Sequence, residues 1–211
     1  MSKIDRNLAL DLVRVTEAAA ISSAHFIGTG DKDGGDKAAV DVMRSYLKNV
    51  SIQGTIIIGE GEKDDAPMLY NGEVVGNGTG PEVDIAVDPV EGTNLLALGR
   101  PNSIATIAMA DKGSMWDPGN SFYMNKLVVG EKSREVIDIT KSITENLNNI
   151  AKAEGKAVSD LTVYILDKPR HKPMIEEIRK AGARITLHTD GDVLGALLAA
   201  LPNTGVDVLM G

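Results

Sequence analysis

Glu60 and Glu62 close one apolar run of this chain, and Asp88 and Glu91 close another. The runs, Thr55-Ile-Ile-Ile58 and Asp84-Ile-Ala-Val87, have the composition of buried strands. Acids in that position matter because open α/β sheets bind ligands beyond the carboxyl ends of their strands. Two carboxylates about 4 Å apart repel by roughly 4 kcal/mol at an effective dielectric of about 20. If Glu60, Asp88 and Glu91 converge, they share protons or hold a cation. An all-oxygen set, with no cysteine in the chain and no histidine cluster, selects a hard ion, Mg²⁺ or Mn²⁺. Such an ion activates water and offsets charge on a phosphoryl oxygen. A single acidic loop residue is usually only solvated. The string Asp88-Pro-Val-Glu-Gly-Thr93 is less ordinary. Pro89 stiffens the turn, Gly92 permits close backbone approach, and Thr93 sets a hydroxyl beside the acids.

The elements that must position these acids read as α/β. Apolar residues at Leu8, Leu12, Val15, Ala19 and Phe26 mark a helix over 7–26. A second helix is expected over 36–49, with Ala39, Met43 and Leu47 inward and Asp36 at its dipole-favoured start. Strands are expected at 55–58, 84–87, 103–110 and 126–129, with a Gly-rich loop or hairpin over 71–81. A helix over 142–154 precedes the last part of the chain. There, strands at 161–166, 184–188 and 206–210 alternate with helices at 173–181 and 193–200, the β-α-β-α-β order of a parallel sheet. A lobe boundary is placed near residue 136.

Composition narrows the function classes. The chain has 211 residues, 43% hydrophobic and 25% charged, enough for one large domain or two lobes with packed cores. Net charge of -8 argues against nucleic acid, whose phosphates need a basic face. It leaves room for a small phosphorylated ligand at a locally cationic or metal-bound site. Absence of cysteine removes disulfides, zinc thiolates, iron–sulfur clusters and thiol nucleophiles. No apolar run spans a bilayer, and charges at Lys3, Asp5, Arg6, Asp11 and Arg14 argue against a signal peptide. A cytoplasmic protein with no membrane partner is the expectation. His25, His171 and His188 stand in no metal-ligand spacing, and His25 and His188 read as structural. The loop at Asp31 is not a calcium loop, since its sixth residue is Asp36 and its twelfth Val42.

Asp-Pro-hydrophobic-acid-Gly-Thr resembles the signature of the lithium-sensitive phosphatases, which include inositol monophosphatases and fructose bisphosphatases. The flanks sharpen it: Arg14-Val-Thr-Glu-Ala-Ala19, Gly30-Asp-Lys32, Gly54-Thr55, Ile58-Gly-Glu-Gly-Glu62, Asp65-Ala-Pro-Met-Leu-Tyr70 and Pro81-Glu-Val-Asp-Ile-Ala-Val-Asp-Pro89. Together they resemble class II fructose-1,6-bisphosphatase, from about Leu8 to Gly211. The resemblance implies a layered sugar-phosphatase fold of two lobes. Residues 1–136 would form a metal-binding catalytic lobe, and 137–211 the start of a substrate lobe that is incomplete. The implied metal ligands are Asp36, Glu60, Asp88 and Glu91, for Mn²⁺ or Mg²⁺. Asp64 and Thr93 would position and deprotonate water, and Lys32 would lie near the phosphate. Substrate contacts would come from Glu91, Gly92, Thr93 and Tyr123, then Lys168-Pro169-Arg170 and Asp190-Gly191-Asp192. Lys168 and Arg170 suit a phosphate that is not hydrolysed, and carboxylates at 190 and 192 suit sugar hydroxyls. Asp192 also suits a helix N-cap.

The implied reaction is hydrolysis of the 1-phosphate of fructose 1,6-bisphosphate to fructose 6-phosphate, a step of gluconeogenesis, in a homo-oligomer. Sedoheptulose-1,7-bisphosphatase, alone or as a second activity, is the rival enzyme; a non-catalytic metal- or partner-binding remnant is the rival of another class. Inositol monophosphatase is disfavoured by Glu91, where that branch has Asp, and by Lys168-Pro-Arg170. The chain departs from the resemblance at Gly119-Asn-Ser-Phe122, before Tyr123, and at Gly211, past which resembling proteins continue with a Gly-Gly-x-Pro-Glu-like loop. The metal set is thus expected to be complete and the substrate pocket not, with weak or no activity in the 211-residue form.

Overall fold

The structure, a computed structural model, describes residues 6–61, 69–119, 121 and 123–211. It divides into two compact units, Met1–Ser121 and Phe122–Gly211. No helix among the described residues is long and apolar enough to cross a membrane.

In the first unit the order is α1 (Arg6–Ser23), α2 (Lys32–Leu47), β1 (Gln53–Ile58), β2 (Val74–Val75), β3 (Glu82–Glu91), α3 (Thr93–Ala97) and β4 (Ile104–Asp111). The strands form one sheet, β2-β1-β3-β4. Only β1 and β3 run parallel; β2 and β4 are antiparallel to their neighbours. Leu8, Val15 and Ala19 of α1 and Ala39, Met43 and Leu47 of α2 are buried in one core with Ile56, Val83, Ile85 and Val87. Met43 is fully enclosed, so its truncation to alanine would cost about 2–5 kcal/mol in lost burial and cavity formation.

The second unit holds β5 (Leu127–Val129), α4 (Ile143–Glu154), β6 (Thr162–Leu166), α5 (Lys172–Ala181), β7 (Arg184–His188), α6 (Asp192–Ala200) and β8 (Val208–Met210). Its sheet order is β5-β8-β6-β7. The β6, β7 and β8 pairings are parallel, and β5 is antiparallel to β8. Successive residues of β6 point to opposite faces. Val163 and Ile165 pack with Leu147 and Ile150 of α4 and Ile175 and Ile178 of α5. Tyr164 and Leu166 pack on the other face with Ala199 of α6. Both faces of β6 are therefore covered, as interior parallel strands require. A capping box starts α4: Ser142 Oγ accepts from Glu145 N, and Glu145 reaches back to the Ser142 N–H.

Several elements differ from the sequence expectation. α2 begins at Lys32, capped by Asp31, whose Oδ1 accepts from Gly34 N at 2.9 Å. The pair Gly34-Gly35 reads as a breaker, yet it is packed inside the helix: a Cβ on Gly35 would sit 2.7 Å from Leu96 Cδ2. β3 does not stop at Val87 but continues to Glu91, with a register shift between Asp88 and Glu91. Pro89 is accommodated at that irregularity, where it removes no regular ladder bond. The loop at 71–81 contains β2. The strand at 127–129 pairs with β8 and so belongs to the second unit.

Candidate active site

Asp36 lies one turn inside α2, not at its start, and Lys32 precedes it by four residues, on the same helical face. Burial raises the Asp36 pKa above the ordinary carboxylate value; Lys32 pulls it down and Asp33 pushes it up. Gly35, next in sequence, lets α3 approach α2 closely, and Thr93 is the first residue of α3. The cap of α3 is Gly92, with φ +84°, a conformation that side chains with a Cβ rarely adopt.

Glu60 follows β1 by two residues. Its backbone N–H donates to Leu69 O at 2.9 Å, and Gly59 N donates to Asn71 Oδ1 at 2.9 Å. The Glu60 carboxyl is pushed up to about 7, first by burial and then by the negative field of Asp36.

Asp88 and Glu91 stand at the β3 irregularity, opposite Thr106 and Ile104 of β4. Asp88 Oδ1 accepts from Val90 N at 3.0 Å, which fixes its rotamer and favours the charged form. Larger effects oppose it. Burial, a hydrogen bond shared with Glu91, and the charges of Glu91 and Glu60 push Asp88 up to about 8. A raised Asp88 favours its protonated form, the form that can donate to Glu91.

The four expected ligands thus interact in sequence: Asp36 with Glu60, Glu60 with Asp88, Asp88 with Glu91. They come from α2, the end of β1 and β3. Among the described residues, however, no three His, Asp or Glu side chains are gathered into a set that could hold one ion. Carboxylates that repel by several kcal/mol at close range spread as far as their rotamers allow. Glu62 and Asp64 lie outside the described residues. The donor chemistry still fits a hard divalent cation: oxygen atoms only, excess negative charge, and raised proton affinities that a cation would reverse.

The second unit places the loops that carry its expected substrate residues at one end of its sheet, beyond the carboxyl ends of two adjacent strands. Lys168-Pro169-Arg170 follows β6, and Asp190-Gly191-Asp192 follows the adjacent parallel strand β7. Lys168 Nζ pairs with Asp190 Oδ1 at 2.9 Å. The Arg170 guanidinium stands over the Tyr123 ring, 4.4 Å from its centroid, in cation–π contact. Asp192 is the first residue of α6 and not its cap, which is Gly191. Asp192 instead pairs with Lys126. His171 is buried, its Nδ1 2.9 Å from Leu166 O, and so braces the loop behind Arg170. His188 stacks on Tyr164 with ring centroids 3.9 Å apart, a structural role as expected.

Lys126 received no role from sequence reading, although it closes the Tyr123-Met-Asn-Lys126 string. Its place follows from topology: β5 is antiparallel to β8, so the start of β5 lies beside the end of β8, Leu127 opposite Met210. That puts Lys126 among the loops after β6 and β7, a proximity with no local signal.

The chain is 48% identical over 206 residues to "Fructose-1,6-bisphosphatase 1 class 2" of Escherichia coli (strain K12), covering 98% of this chain and 61% of that protein. The same figures hold for "Fructose-1,6-bisphosphatase class 2" of Escherichia coli O6:H1 and of Shigella flexneri. The chain thus spans 61% of the length of these relatives. A solved structure, an extragenic suppressor from Pyrococcus furiosus, is similar at a TM-score of 0.44 and 15% identity, over 92% of this chain and 68% of that one. The family described as "Bacterial fructose-1,6-bisphosphatase, glpX-encoded" matches residues 6–211. With every described residue inside that match, the chain belongs to the bacterial, glpX-encoded fructose-1,6-bisphosphatase family.

Proposed function

We propose that this chain carries the metal-dependent phosphatase centre of its family and acts on the 1-phosphate of fructose 1,6-bisphosphate, giving fructose 6-phosphate and phosphate. The observation that carries this reading is the linked carboxylate series, in which Glu60 is raised to about 7 and Asp88 to about 8. Groups with proton affinities raised by burial and mutual charge mark functional sites. Asp36, Glu60, Asp88 and Glu91 would hold Mn²⁺ or Mg²⁺. When bound, such an ion supplies charge to a phosphoryl oxygen and acidifies water.

The chain's own residues do the rest. Val90 N–H orients Asp88, and Gly92 allows the sharp entry to α3 that presents the Thr93 hydroxyl to the attacking water. Lys32 neutralises phosphate charge beside Asp36. In the second unit, Lys168 and Arg170 bind the phosphate that is retained, Asp190 and Asp192 accept from sugar hydroxyls, and Tyr123 backs the Arg170 guanidinium. Lys126 holds Asp192 in place.

The test is phosphate release from fructose 1,6-bisphosphate in Mn²⁺, comparing the chain with Asp88→Ala. Weak release by the parent and its loss in the variant are expected. Equal release by both would remove Asp88 from the chemistry.

A further inference from the structure

We propose that Glu73 is a positioning residue that, with Arg44, fixes the turn carrying Glu60 and ties it to the helix carrying Asp36. The proposal rests on the reading of Glu60 and Asp36 as metal ligands and extends it to groups that touch neither metal nor substrate.

Glu73 is a carboxylate only 5% exposed, just ahead of β2. Its Oε1 accepts from Arg44 Nε at 2.6 Å, and its Oε2 accepts from Leu69 N at 2.5 Å. The Glu73 backbone is itself anchored to β1 through Ile56 N–H, which donates to Glu73 O at 2.9 Å. Both side-chain contacts of Glu73 lead toward the site in one step. Leu69, held by Oε2, is the residue whose carbonyl accepts from Glu60 N at 2.9 Å. That carbonyl presses against the turn so closely that a Cβ on Gly59 would meet it at 2.1 Å. Leu69 is also fully buried and carries φ +56°, an unfavourable conformation for a branched side chain that its surroundings must impose. Arg44, held by Oε1, is on α2, eight residues after Asp36, so two turns along the same face.

A buried ion pair contributes little net stability over an apolar pair of the same shape, while breaking one partner away leaves an uncompensated charge. Its use here is therefore better explained by placement than by stability. Glu73 joins three separate segments, α2 and the Leu69 backbone through its carboxylate and β1 through its own carbonyl, at the point where the Glu60 turn must be held.

The test combines two readouts on wild type, Glu73→Ala and Glu73→Gln. Hydrogen exchange of the metal-free proteins reports the turn directly. The Glu60 amide in Glu73→Ala should exchange about tenfold faster while Ile85 of β3 is unchanged. Calorimetric titration with Mn²⁺ should show a dissociation constant raised about tenfold in Glu73→Ala. Glu73→Gln keeps an acceptor for Leu69 N and should recover most of both effects. If Glu73→Ala does not fold, Arg44→Gln carries the same comparison. Unchanged exchange at Glu60, or acceleration spread evenly over the first unit, overturns the proposal, as does an unchanged Mn²⁺ constant with a loosened turn. Wild type that binds no Mn²⁺ overturns instead the ligand reading of Glu60, and the exchange arm tells the two failures apart.

Discussion

Replacing Asp88 by asparagine should make the metal-free protein more stable at pH 7.5 and remove its response to Mn²⁺. The folded-state pKa of Asp88 is about 8 against 3.8 for the free side chain. A raised acid binds its proton more tightly in the native state than in the unfolded one. Stability therefore falls as pH rises from about 4 to about 8, because the unfolded chain loses the proton first. Each tenfold in proton affinity is worth about 1.4 kcal/mol, so the penalty at pH 7.5 has a ceiling of roughly 5 kcal/mol. Residual solvent contact and relaxation leave an expected gain of about 2–3 kcal/mol for Asp88→Asn, a rise in Tm of roughly 5–10 °C for a chain of this size. Asparagine keeps an oxygen to accept from Val90 N, so the strand irregularity is preserved. Mn²⁺ at 100 times its Kd should stabilise the wild type by about 2.7 kcal/mol and the variant hardly at all. The assay is thermal unfolding at pH 4.5 and 7.5, with and without Mn²⁺. The variant's advantage should appear at pH 7.5 and vanish at pH 4.5. A variant less stable than wild type at pH 7.5, or equally shifted by Mn²⁺, would refute the reasoning.

Mn²⁺ binding should release protons below pH 8, since Glu60 at about 7 and Asp88 at about 8 must ionise to bind it. Calorimetry in two buffers of different ionisation enthalpy should show this release, with apparent affinity climbing from pH 6 to 8. Arg170→Lys should raise KM for the bisphosphate about tenfold with a smaller change in kcat, because a lysine neither forks a phosphate nor stacks on Tyr123 as a guanidinium does. Gly195→Ala should destabilise the second unit by about 1–3 kcal/mol in denaturant titration, as its Cβ would stand 2.4 Å from the Tyr164 ring. Ser142→Ala should remove the α4 capping box and cost about 1 kcal/mol by the same measurement.

Sequence alone determined the features that are local. Apolar periodicity marked α1, because it records which side of an element is buried, and the β-α-β-α-β order of the last part of the chain was legible as well. The six residues from Asp88 to Thr93 carried the signature and, with their flanks, the family. Sequence placed the α2 start too late, since Gly34-Gly35 reads as a break until Leu96 is seen packed against it. It ended β3 too early, since Pro89 reads as a stop until the irregularity opposite β4 absorbs it.

Tertiary structure decided what depends on partners distant in the chain. The interactions of Asp36 with Glu60 and of Glu60 with Asp88, the pairing of Lys126 with Asp192, and the hold of Glu73 on both Arg44 and Leu69 join residues from separate elements. No periodicity encodes them. They follow from strand register, from helices seated on particular faces, and from the energy of burying charge, which forces each carboxylate to find a proton or a cation.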